Sequence, residues 1–282
     1  MQQAGEKQLT LTTEDRVIIV AYHLPLRVDR ASNGYSIEWD DERGIDKHGM
    51  GLPMNVTYVG CIELDVPDIA EQEALEKLLF EQYNCIVIFL ENKLRDKFYH
   101  RFCRLYLAPV MHNQMHVMED VDPFQPDEWR AYCVVNQLFA AKVVPPPRPS
   151  LPPSLPPSPP PSLSPPSARA RSPQVMEVYS GDEMIWVHDY QLQLVPGLVR
   201  ERLPKSRIGF FLHIPFPPEE LFAKIPWRQQ ILEGMLGADV IGFQTILAAR
   251  NFSRAARRFT DATGSDKKLK FQGRTIAIDA FP

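Results

Sequence analysis

Two polar residues that could bind a small ligand follow short apolar runs in the middle of the chain. Asp189 comes shortly after the run 184–187 (MIWV), and His213 directly ends the run 208–212 (IGFFL). A carboxylate accepts hydrogen bonds from hydroxyl groups, and a neutral imidazole can donate one and accept one. Apolar runs with a short helix between them predict neighbouring strands of a parallel sheet that is covered on both faces. Because ligands bind outside the carboxyl ends of such strands, we expect Asp189 and His213 to face one crevice.

The spacing of apolar residues predicts alternating strands and helices along most of the chain. We expect further strands at 16–20, 56–62, 85–90, 240–243 and 275–278, and helices at 68–82, 92–107, 127–143, 227–236 and 246–259. Asp68 and Asp127 begin two of these segments and are expected to cap the helices. The stretch 31–51 is polar and rich in turn-forming residues. The predicted fold class is therefore α/β, a doubly wound parallel sheet of the Rossmann-like kind.

Composition narrows the classes of function. The 282 residues allow one large domain or two small ones, and the net charge of -4 shows no nucleic-acid-binding footprint. No apolar run approaches the ~20 residues of a membrane helix, and the polar N-terminus lacks a signal-peptide core, so we expect a cytoplasmic protein. The four cysteines (Cys61, Cys85, Cys103 and Cys133) are widely spaced, which favours buried free thiols over a metal site.

One segment cannot belong to a packed core. The chain has 27 prolines, and they are concentrated in the Pro- and Ser-rich stretch 144–174. We expect this insert to be disordered and to sample polyproline II. The flanking sequences FAAKV and VMEVY read as one continuous helix when it is removed. The stretch could bind an SH3-like module, could be a passive insertion, or could be a retained intron.

Several motifs resemble the N-terminal domain of the trehalose-6-phosphate synthase family. They are WVHDY (186–190), GFFLHIPFPPEELF (209–222), PWR (226–228) and LGADVIGF (236–243). A more divergent match covers RVIIVAYHLPL, VTYVG, KFYHRFC and WRAYCVVNQLFAAKV, and it is nearer to the eukaryotic regulatory-type members. The resemblance implies a retaining glycosyltransferase of the GT-B fold, which transfers glucose from UDP-glucose to glucose 6-phosphate. It implies no metal and no cofactor.

The same resemblance implies roles for four residues. Asp189 would bind the acceptor glucose, and His213 would contact the donor glucose near the reacting carbon. Tyr99 and His23 would stand at the acceptor phosphate. The residues themselves leave other interpretations open, because Asp189 could cap the next helix. His213 could be a satisfied core histidine, and Tyr99 could pack between helices.

The sequence also departs from the family pattern. His23 stands where active members carry a phosphate-binding arginine, and Ala108 stands where they carry the tryptophan of an L-W-P motif. A histidine is a weaker phosphate ligand than the fixed guanidinium fork. The glycine-rich loop after the first strand is not recognisable, and Asn33-Gly34 is not a convincing substitute. The basic residues of 246–259 could approach a phosphate or simply form a solvated helix face.

These observations predict a domain organisation and a set of partners. We expect a flexible stretch at 1–15, one discontinuous acceptor-side domain at 16–143 and 175–282, and no second, donor-nucleotide domain. The predicted ligands are sugar phosphates, with other trehalose-synthase subunits as a further class of partner. A chain without the cationic donor cleft should turn over substrate negligibly. A non-catalytic sugar-phosphate sensor or regulatory subunit is the alternative function.

Overall fold

The computed structural model describes residues 15–32, 34–40, 55–114, 125–144 and 179–282. The strands within these ranges are β1 (Arg16–His23), β2 (Leu26–Ala31), β3 (Gly34–Trp39), β4 (Asn55–Cys61), β5 (Cys85–Val87), β6 (Met184–His188), β7 (Arg207–Leu212), β8 (Val240–Phe243), β9 (Thr263–Gly264), β10 (Lys268–Phe271) and β11 (Arg274–Ala280). Nine of them form one sheet in the order β5-β4-β1-β6-β7-β8-β11-β10-β9. The other two, β2 and β3, form an antiparallel hairpin.

Helices connect the parallel strands. They are α1 (Ile69–Tyr83), α2 (Asn92–Arg95), α3 (Ala108–Met111), α4 (Pro126–Val143), α5 (Val195–Arg202), α6 (Glu219–Phe222), α7 (Arg228–Met235) and α8 (Ile246–Phe259). Between α2 and α3 the chain continues as a π-helix over Asp96–Leu107, and a 3-10 turn covers Tyr190–Leu192. Strands β4, β1, β6, β7, β8 and β11 run parallel to one another. The doubly wound α/β fold predicted from the sequence is confirmed.

The sheet changes its direction of growth between β1 and β6. From β1 the chain adds β4 and β5 on one side, and it then returns to add β6, β7 and β8 on the other side of β1. This arrangement makes a topological switch point, where the loops leaving two adjacent parallel strands diverge and open a crevice. The carboxyl ends of β1 and β6 therefore form the most favourable ligand position of this sheet.

The two faces of the sheet are covered to different extents. On one face α4, α5, α7 and α8 bury side chains that include Ile185, Val187 and Phe210. On the other face α1 covers β1 and β4, and its Leu75 and Leu79 are completely buried, which stabilises the fold by about 1.5–3 kcal/mol for each residue. The described residues leave the second face open over β6, β7 and β8, where an apolar groove of about 690 Å³ lies. The expectation that both faces are covered is wrong for this part of the described structure.

Helix α4 holds the turn that follows β6. The Tyr132 hydroxyl donates to the Tyr190 carbonyl at 2.8 Å and accepts from the Gln193 amide at 3.2 Å. The Asn136 amide group donates to the Gln191 carbonyl at 3.0 Å and accepts from the Leu194 amide at 3.1 Å. Neither Tyr132 nor Asn136 is exposed to solvent. In a regular helix the backbone itself would pair these carbonyl and amide groups. In this turn the side chains of α4 pair them instead.

Most predicted elements are present, with shifted ends. The helix predicted at 246–259 and the strand at 240–243 have the predicted bounds. Asp68 caps α1 as predicted, since its carboxylate accepts from the Glu71 amide at 2.8 Å. The prediction that Asp127 caps the next helix is wrong, because α4 begins at Pro126 and Asp127 instead binds Arg130 at 2.8 Å.

Other elements were missed or misjudged. The stretch 31–51, predicted as polar and turn-rich, contains β3, and its hairpin partner β2 just before this stretch was also missed. The hairpin of β9 and β10 before β11 was missed as well. The strand predicted at 85–90 ends at Val87. These strands are short and largely polar, so the alternation of apolar and polar residues that predicts a strand is weak in their sequences.

Some predictions lie outside the described residues. These are the flexible stretch 1–14, nearly all of the insert 144–174, and the helix expected to continue through 175–178. Among the helices that the structure describes, none is long and apolar enough to cross a membrane. All four cysteines are free, and Cys61, Cys85 and Cys103 are buried, as predicted, whereas Cys133 is half-buried.

Replacing Tyr132 by phenylalanine should destabilise the domain. The substitution leaves the Tyr190 carbonyl and the Gln193 amide buried without their partner, which costs about 1–3 kcal/mol. Chemical denaturation should show this loss in the free energy of unfolding. Tyr179→Phe is the matched control, because its hydroxyl binds the Gly181 carbonyl at the surface, where water can replace it. Equal stability of the two variants would contradict the anchoring role of Tyr132.

Candidate functional site

Three polar residues predicted from the sequence stand at the carboxyl ends of adjacent strands. His23 ends β1, Asp189 follows β6, and His213 follows β7. The register pairs Val20 with Val187 across β1 and β6, so these strand ends reach the same edge of the sheet. The edge coincides with the switch point between β1 and β6. The structure therefore places Asp189 and His213 next to each other at neighbouring strand ends, and the expectation that their side chains face one crevice stays a prediction.

Asp189 is directly bonded to the neighbouring strand. Its amide donates to the Phe211 carbonyl at 2.8 Å, and its carboxylate accepts from the His213 amide at 3.2 Å. The carboxylate makes no capping bond to the 3-10 turn that follows, and α5 begins only at Val195. The alternative interpretation of Asp189 as a helix cap is therefore wrong. Its side chain ties two strand ends together instead.

The backbone of Asp189 is strained. Its φ of 71° and ψ of 172° fall in a region that is essentially reserved for glycine. Such a conformation costs of the order of 1–3 kcal/mol in a residue with a side chain. The surrounding hydrogen bonds from α4 and β7 hold it in place. Strained residues of this kind cluster at ligand sites, so the conformation marks Asp189 as a functional candidate.

The surroundings of Asp189 also perturb its acidity. Burial raises the pKa of its carboxyl to about 6, although the amides of Tyr190 and His213 and the nearby ring of His112 act in the opposite direction. A carboxyl with this pKa is mostly ionised at neutral pH but can still take up a proton in mild acid. It is suited to accepting hydrogen bonds from the hydroxyl groups of a ligand.

His213 packs against a second histidine. The Nε2 atom of His213 lies 2.9 Å from Nδ1 of His188, the ring centroids are 5.2 Å apart, and the two ring planes differ by 21°. His188 also packs on Trp186, and His213 packs on Phe211, so both rings lie along the open groove. Burial lowers the pKa of His188 to about 3, and partial desolvation lowers the pKa of His213. Both imidazoles are therefore neutral at physiological pH.

Tyr99 stands beside the end of β1. It lies in the π-helical segment and stacks on Tyr22, with ring centroids 4.6 Å apart. The rings of His23 and Tyr99 meet edge to face, with their centroids 5.5 Å apart. Tyr22 is buried, and its pKa is raised by that burial. The π-helical winding, which is frequent at functional sites, places Tyr99 where it is packed and yet partly exposed.

Tyr190 connects the Tyr99 and Asp189 parts of the site. Burial raises the pKa of the Tyr190 hydroxyl, and the nearby Cys103, Tyr99 and Asp189 raise it further. These four residues therefore share one electrostatic neighbourhood. Tyr99 and Asp189, two of the predicted acceptor-side residues, thus both lie close to Tyr190.

His23 has a neighbour that would oppose anion binding. Its Nδ1 atom lies 3.9 Å from the Glu63 carboxylate, which is largely exposed. Arg95 donates to the backbone carbonyl of the same Glu63 at 3.0 Å. Its charge also acts on Tyr22, where it lowers the pKa against the effect of burial. The phosphate-binding role expected for His23 stays a prediction.

Several residues of this neighbourhood were missed by sequence reasoning. They are Tyr22, Arg95, Cys103, His112, His188 and Tyr190. A signal for His188 existed, since Met184, Trp186 and His188 alternate with the fully buried Ile185 and Val187. Period-two alternation marks one face of a strand. Nothing local signals Cys103 or His112, because they reach the site through the packing of distant helices.

The basic residues of α8 are mostly engaged. Arg257 binds Asp266 at 2.8 Å, Arg250 lies 3.8 Å from the same carboxylate, and Arg258 binds Glu219 at 3.0 Å. These pairs favour the solvated helix face over a phosphate site. Within the ranges that the structure describes, no group of three or more His, Cys, Asp or Glu residues could hold a metal ion.

Comparison with known proteins assigns the family. The profile of Glycosyltransferase family 20 matches residues 15–149 and 168–282. The chain belongs to this family. It is 33% identical over 279 residues to the Arabidopsis thaliana protein "Alpha,alpha-trehalose-phosphate synthase [UDP-forming] 5", a match that covers 96% of this chain and 28% of that protein. It is 28% identical over 270 residues to the Dictyostelium discoideum synthase A, and the match covers 95% and 31% of the two chains.

Solved structures share the fold of this chain. The N-terminal domain of Candida albicans trehalose-6-phosphate phosphatase matches with a TM-score of 0.67 and 24% identity, over 99% of this chain and 50% of that one. An E. coli structure bound with UDP-2-fluoro glucose matches with a TM-score of 0.63 and 21% identity, over 95% and 48% of the two chains. This member of family 20 therefore has the fold of the N-terminal half of those proteins. It spans about half the length of the solved structures and less than a third of the curated relatives.

Relief of backbone strain should make Asp189→Gly more stable than the wild type. Glycine adopts the observed φ without strain, and we expect the free energy of unfolding to rise by about 1 kcal/mol after the loss of the carboxylate bond to the His213 amide. Denaturant titration measures the change. Asp189→Asn is the matched control, because asparagine keeps a side chain in the strained conformation. A glycine variant less stable than the asparagine variant at pH 7 would contradict the strain.

Stability should depend on pH through the same residue. The pKa of Asp189 is about 6 in the folded chain and about 3.9 in an unfolded one, so folding takes up a proton between these values. The ionised form is disfavoured in the folded state, and the free energy of unfolding should fall as pH rises from about 4 to about 6. Asp189→Asn should remove this contribution. Identical pH profiles of the variant and the wild type would show that the pKa is not raised.

Proposed function

We propose that this chain is the acceptor-side half of a trehalose-6-phosphate synthase-type glycosyltransferase. The reaction would transfer glucose from UDP-glucose to glucose 6-phosphate. The observation that carries the proposal is the direct contact between Asp189 and His213 at adjacent strand ends, in a chain that belongs to glycosyltransferase family 20. The curated relatives in Arabidopsis and Dictyostelium are UDP-forming synthases, which supports the same reaction.

The chemistry of a retaining transfer fits the groups in the crevice. The bond between the anomeric carbon of glucose and the UDP oxygen breaks, and a bond to the acceptor hydroxyl oxygen forms on the same face. The leaving diphosphate takes the proton of that hydroxyl. The protein then needs to position two sugars and to exclude water, and it need not supply a general base. Neutral histidines and one carboxylate are consistent with that task.

Each residue has a defined part in this proposal. The Asp189 carboxylate accepts hydrogen bonds from the hydroxyl groups of the acceptor glucose, and its fixed backbone sets the sugar's orientation. Tyr99, stacked on Tyr22, stands at the acceptor phosphate beside His23. His213 contacts the donor glucose with the ring nitrogen that does not face His188. Neither substrate needs a metal ion for these contacts, so EDTA should leave binding unchanged.

Calorimetry with the purified chain tests the proposal. We expect glucose 6-phosphate to bind, with UDP release from UDP-glucose negligible because the chain spans about half of the solved synthases. Asp189→Asn should weaken binding by about tenfold, the equivalent of one strong hydrogen bond of about 1.4 kcal/mol.

Asp182→Asn is the matched control for that measurement. Asp182 precedes β6 at the opposite end of the strand and is exposed, so removing its charge should leave the affinity unchanged. Absence of binding to the wild-type chain, or equal loss in both variants, would overturn the proposed acceptor site.

A non-catalytic sugar-phosphate sensor is the second candidate function. Two features favour it: the Glu63 carboxylate beside His23, and Ala108 in place of the family's tryptophan. A domain of the same fold also forms the N-terminal part of a protein described as a trehalose-6-phosphate phosphatase, so the fold is not confined to synthases.

Trehalose 6-phosphate distinguishes the two candidates. A sensor should bind this product at least as tightly as glucose 6-phosphate, and it should release no UDP even when joined to the remaining part of a synthase. A synthase half should regain UDP release in that fusion. Binding of neither sugar phosphate would remove the sensor hypothesis.

A further inference from the structure

The contact between His188 and His213 is the strongest feature that the proposed reaction leaves unexplained. His188 Nδ1 and His213 Nε2 are 2.9 Å apart, which is a hydrogen-bond distance. A hydrogen bond between two imidazoles needs one protonated and one bare nitrogen. Since both rings are neutral, one histidine donates and the other accepts. The direction of this bond decides where the proton of each ring resides.

His188 is almost completely buried. Only 3% of its surface is exposed, and its ring lies between Trp186 on the same strand and His213 on the next. Its second nitrogen, Nε2, is completely buried and has no hydrogen-bond partner among the described residues. By contrast, His213 is exposed at the carboxyl edge of the sheet. With Nε2 turned to His188, the nitrogen that His213 offers to a ligand is Nδ1.

The buried Nε2 atom of His188 indicates the direction of the bond. If His213 were the donor, His188 would carry its only proton on Nε2, as a buried N–H group without an acceptor. Orphaned buried N–H groups are rarer in proteins than under-satisfied acceptors. If His188 is the donor, its Nε2 is a bare nitrogen packed among aromatic rings. The second arrangement is the less costly one.

We propose that His188 is a positioning residue, which donates its Nδ1–H to Nε2 of His213 and thereby keeps the proton of His213 on Nδ1. His213 then presents an N–H donor at the crevice. Such a group recognises an oxygen acceptor, such as a sugar hydroxyl or a phosphate oxygen, and it discriminates against groups that can only donate. That this donor serves the glucosyl donor substrate rests on the function proposed above.

The other groups around the pair leave this assignment intact. Asp189 binds the backbone amide of His213 and not its ring. Arg207 and Asp239 line the far part of the groove, and Asp239 is already bound to Arg200 at 2.7 Å. The neutral state of both rings follows from burial, which lowers the pKa of His188 to about 3. The pair should therefore keep one tautomer across the physiological pH range.

Nitrogen NMR of the histidine-labelled chain tests the proposal directly. Protonated and bare imidazole nitrogens have well-separated 15N resonances, and the His213 signals can be assigned by their loss in His213→Gln. We expect Nδ1 of His213 to be protonated and Nε2 to be bare at pH 7.5. The exposed His100 serves as an internal reference for a histidine that is free to exchange tautomers. A protonated Nε2 on His213 in the wild-type chain would overturn the proposal.

Two variants of His188 separate positioning from packing. His188→Phe keeps an aromatic ring but removes the donor, so His213 should lose its single tautomer and populate both. His188→Asn keeps an amide donor near the position of Nδ1 and should preserve the Nδ1–H form. An unchanged His213 tautomer in the phenylalanine variant would refute the role of His188. If that variant does not fold, the wild-type and asparagine spectra still decide the direction of the bond.

The same samples separate this proposal from the proposed function. Addition of UDP-glucose and of glucose 6-phosphate reports whether either sugar reaches the site. A chain with the Nδ1–H tautomer that binds neither sugar would overturn the proposed function and support the positioning role of His188. A chain that binds either sugar while Nε2 of His213 carries the proton would support the proposed function and overturn the positioning role of His188.

Discussion

The pairing of β6 with β7 is the constraint on which the candidate site depends. The Asp189 amide donates to the Phe211 carbonyl beyond the last pair of the ladder, and the His213 amide returns a bond to the Asp189 carboxylate. These two bonds continue the ladder past the strand ends, where backbone groups would otherwise face solvent. They also force Asp189 into a conformation that suits glycine. The sheet therefore sets the geometry of the site at the expense of local backbone strain.

The strained backbone of Asp189 is maintained because helix α4 holds the turn that follows β6. Tyr132 and Asn136 project from α4 into the turn and satisfy its buried carbonyls and amides. Without those partners four backbone groups of the turn would be buried and unpaired, at about 1–3 kcal/mol each, and their sum exceeds the strain of about 1–3 kcal/mol at Asp189. Helix α4 thus fixes the conformation of the turn by hydrogen bonds, in addition to burying apolar surface. Residues that never reach the crevice determine how accurately a ligand could be oriented there.

The residues at the site fall into two groups on either side of the sheet edge. Asp189 shares an electrostatic neighbourhood with Tyr190, Cys103 and Tyr99, on the side covered by the π-helical segment. The rings of His188 and His213 lie on the side of the open groove. Both histidines stay neutral because each ring is partly enclosed by aromatic rings, which disfavours the charged form.

The sequence by itself determined the fold class, the order along the chain of the parallel strands and the helices between them, and the presence of Asp189 and His213 at strand ends. It could do so because apolar periodicity and strand-end position are local properties of the chain. Only the tertiary structure decided that Asp189 is strained and tied to β7 rather than capping a helix, that His188 faces His213, and that the groove face is open in the described residues. Those features arise from register and from contacts between residues distant in the chain, such as Tyr132 and Tyr190, which no local pattern encodes.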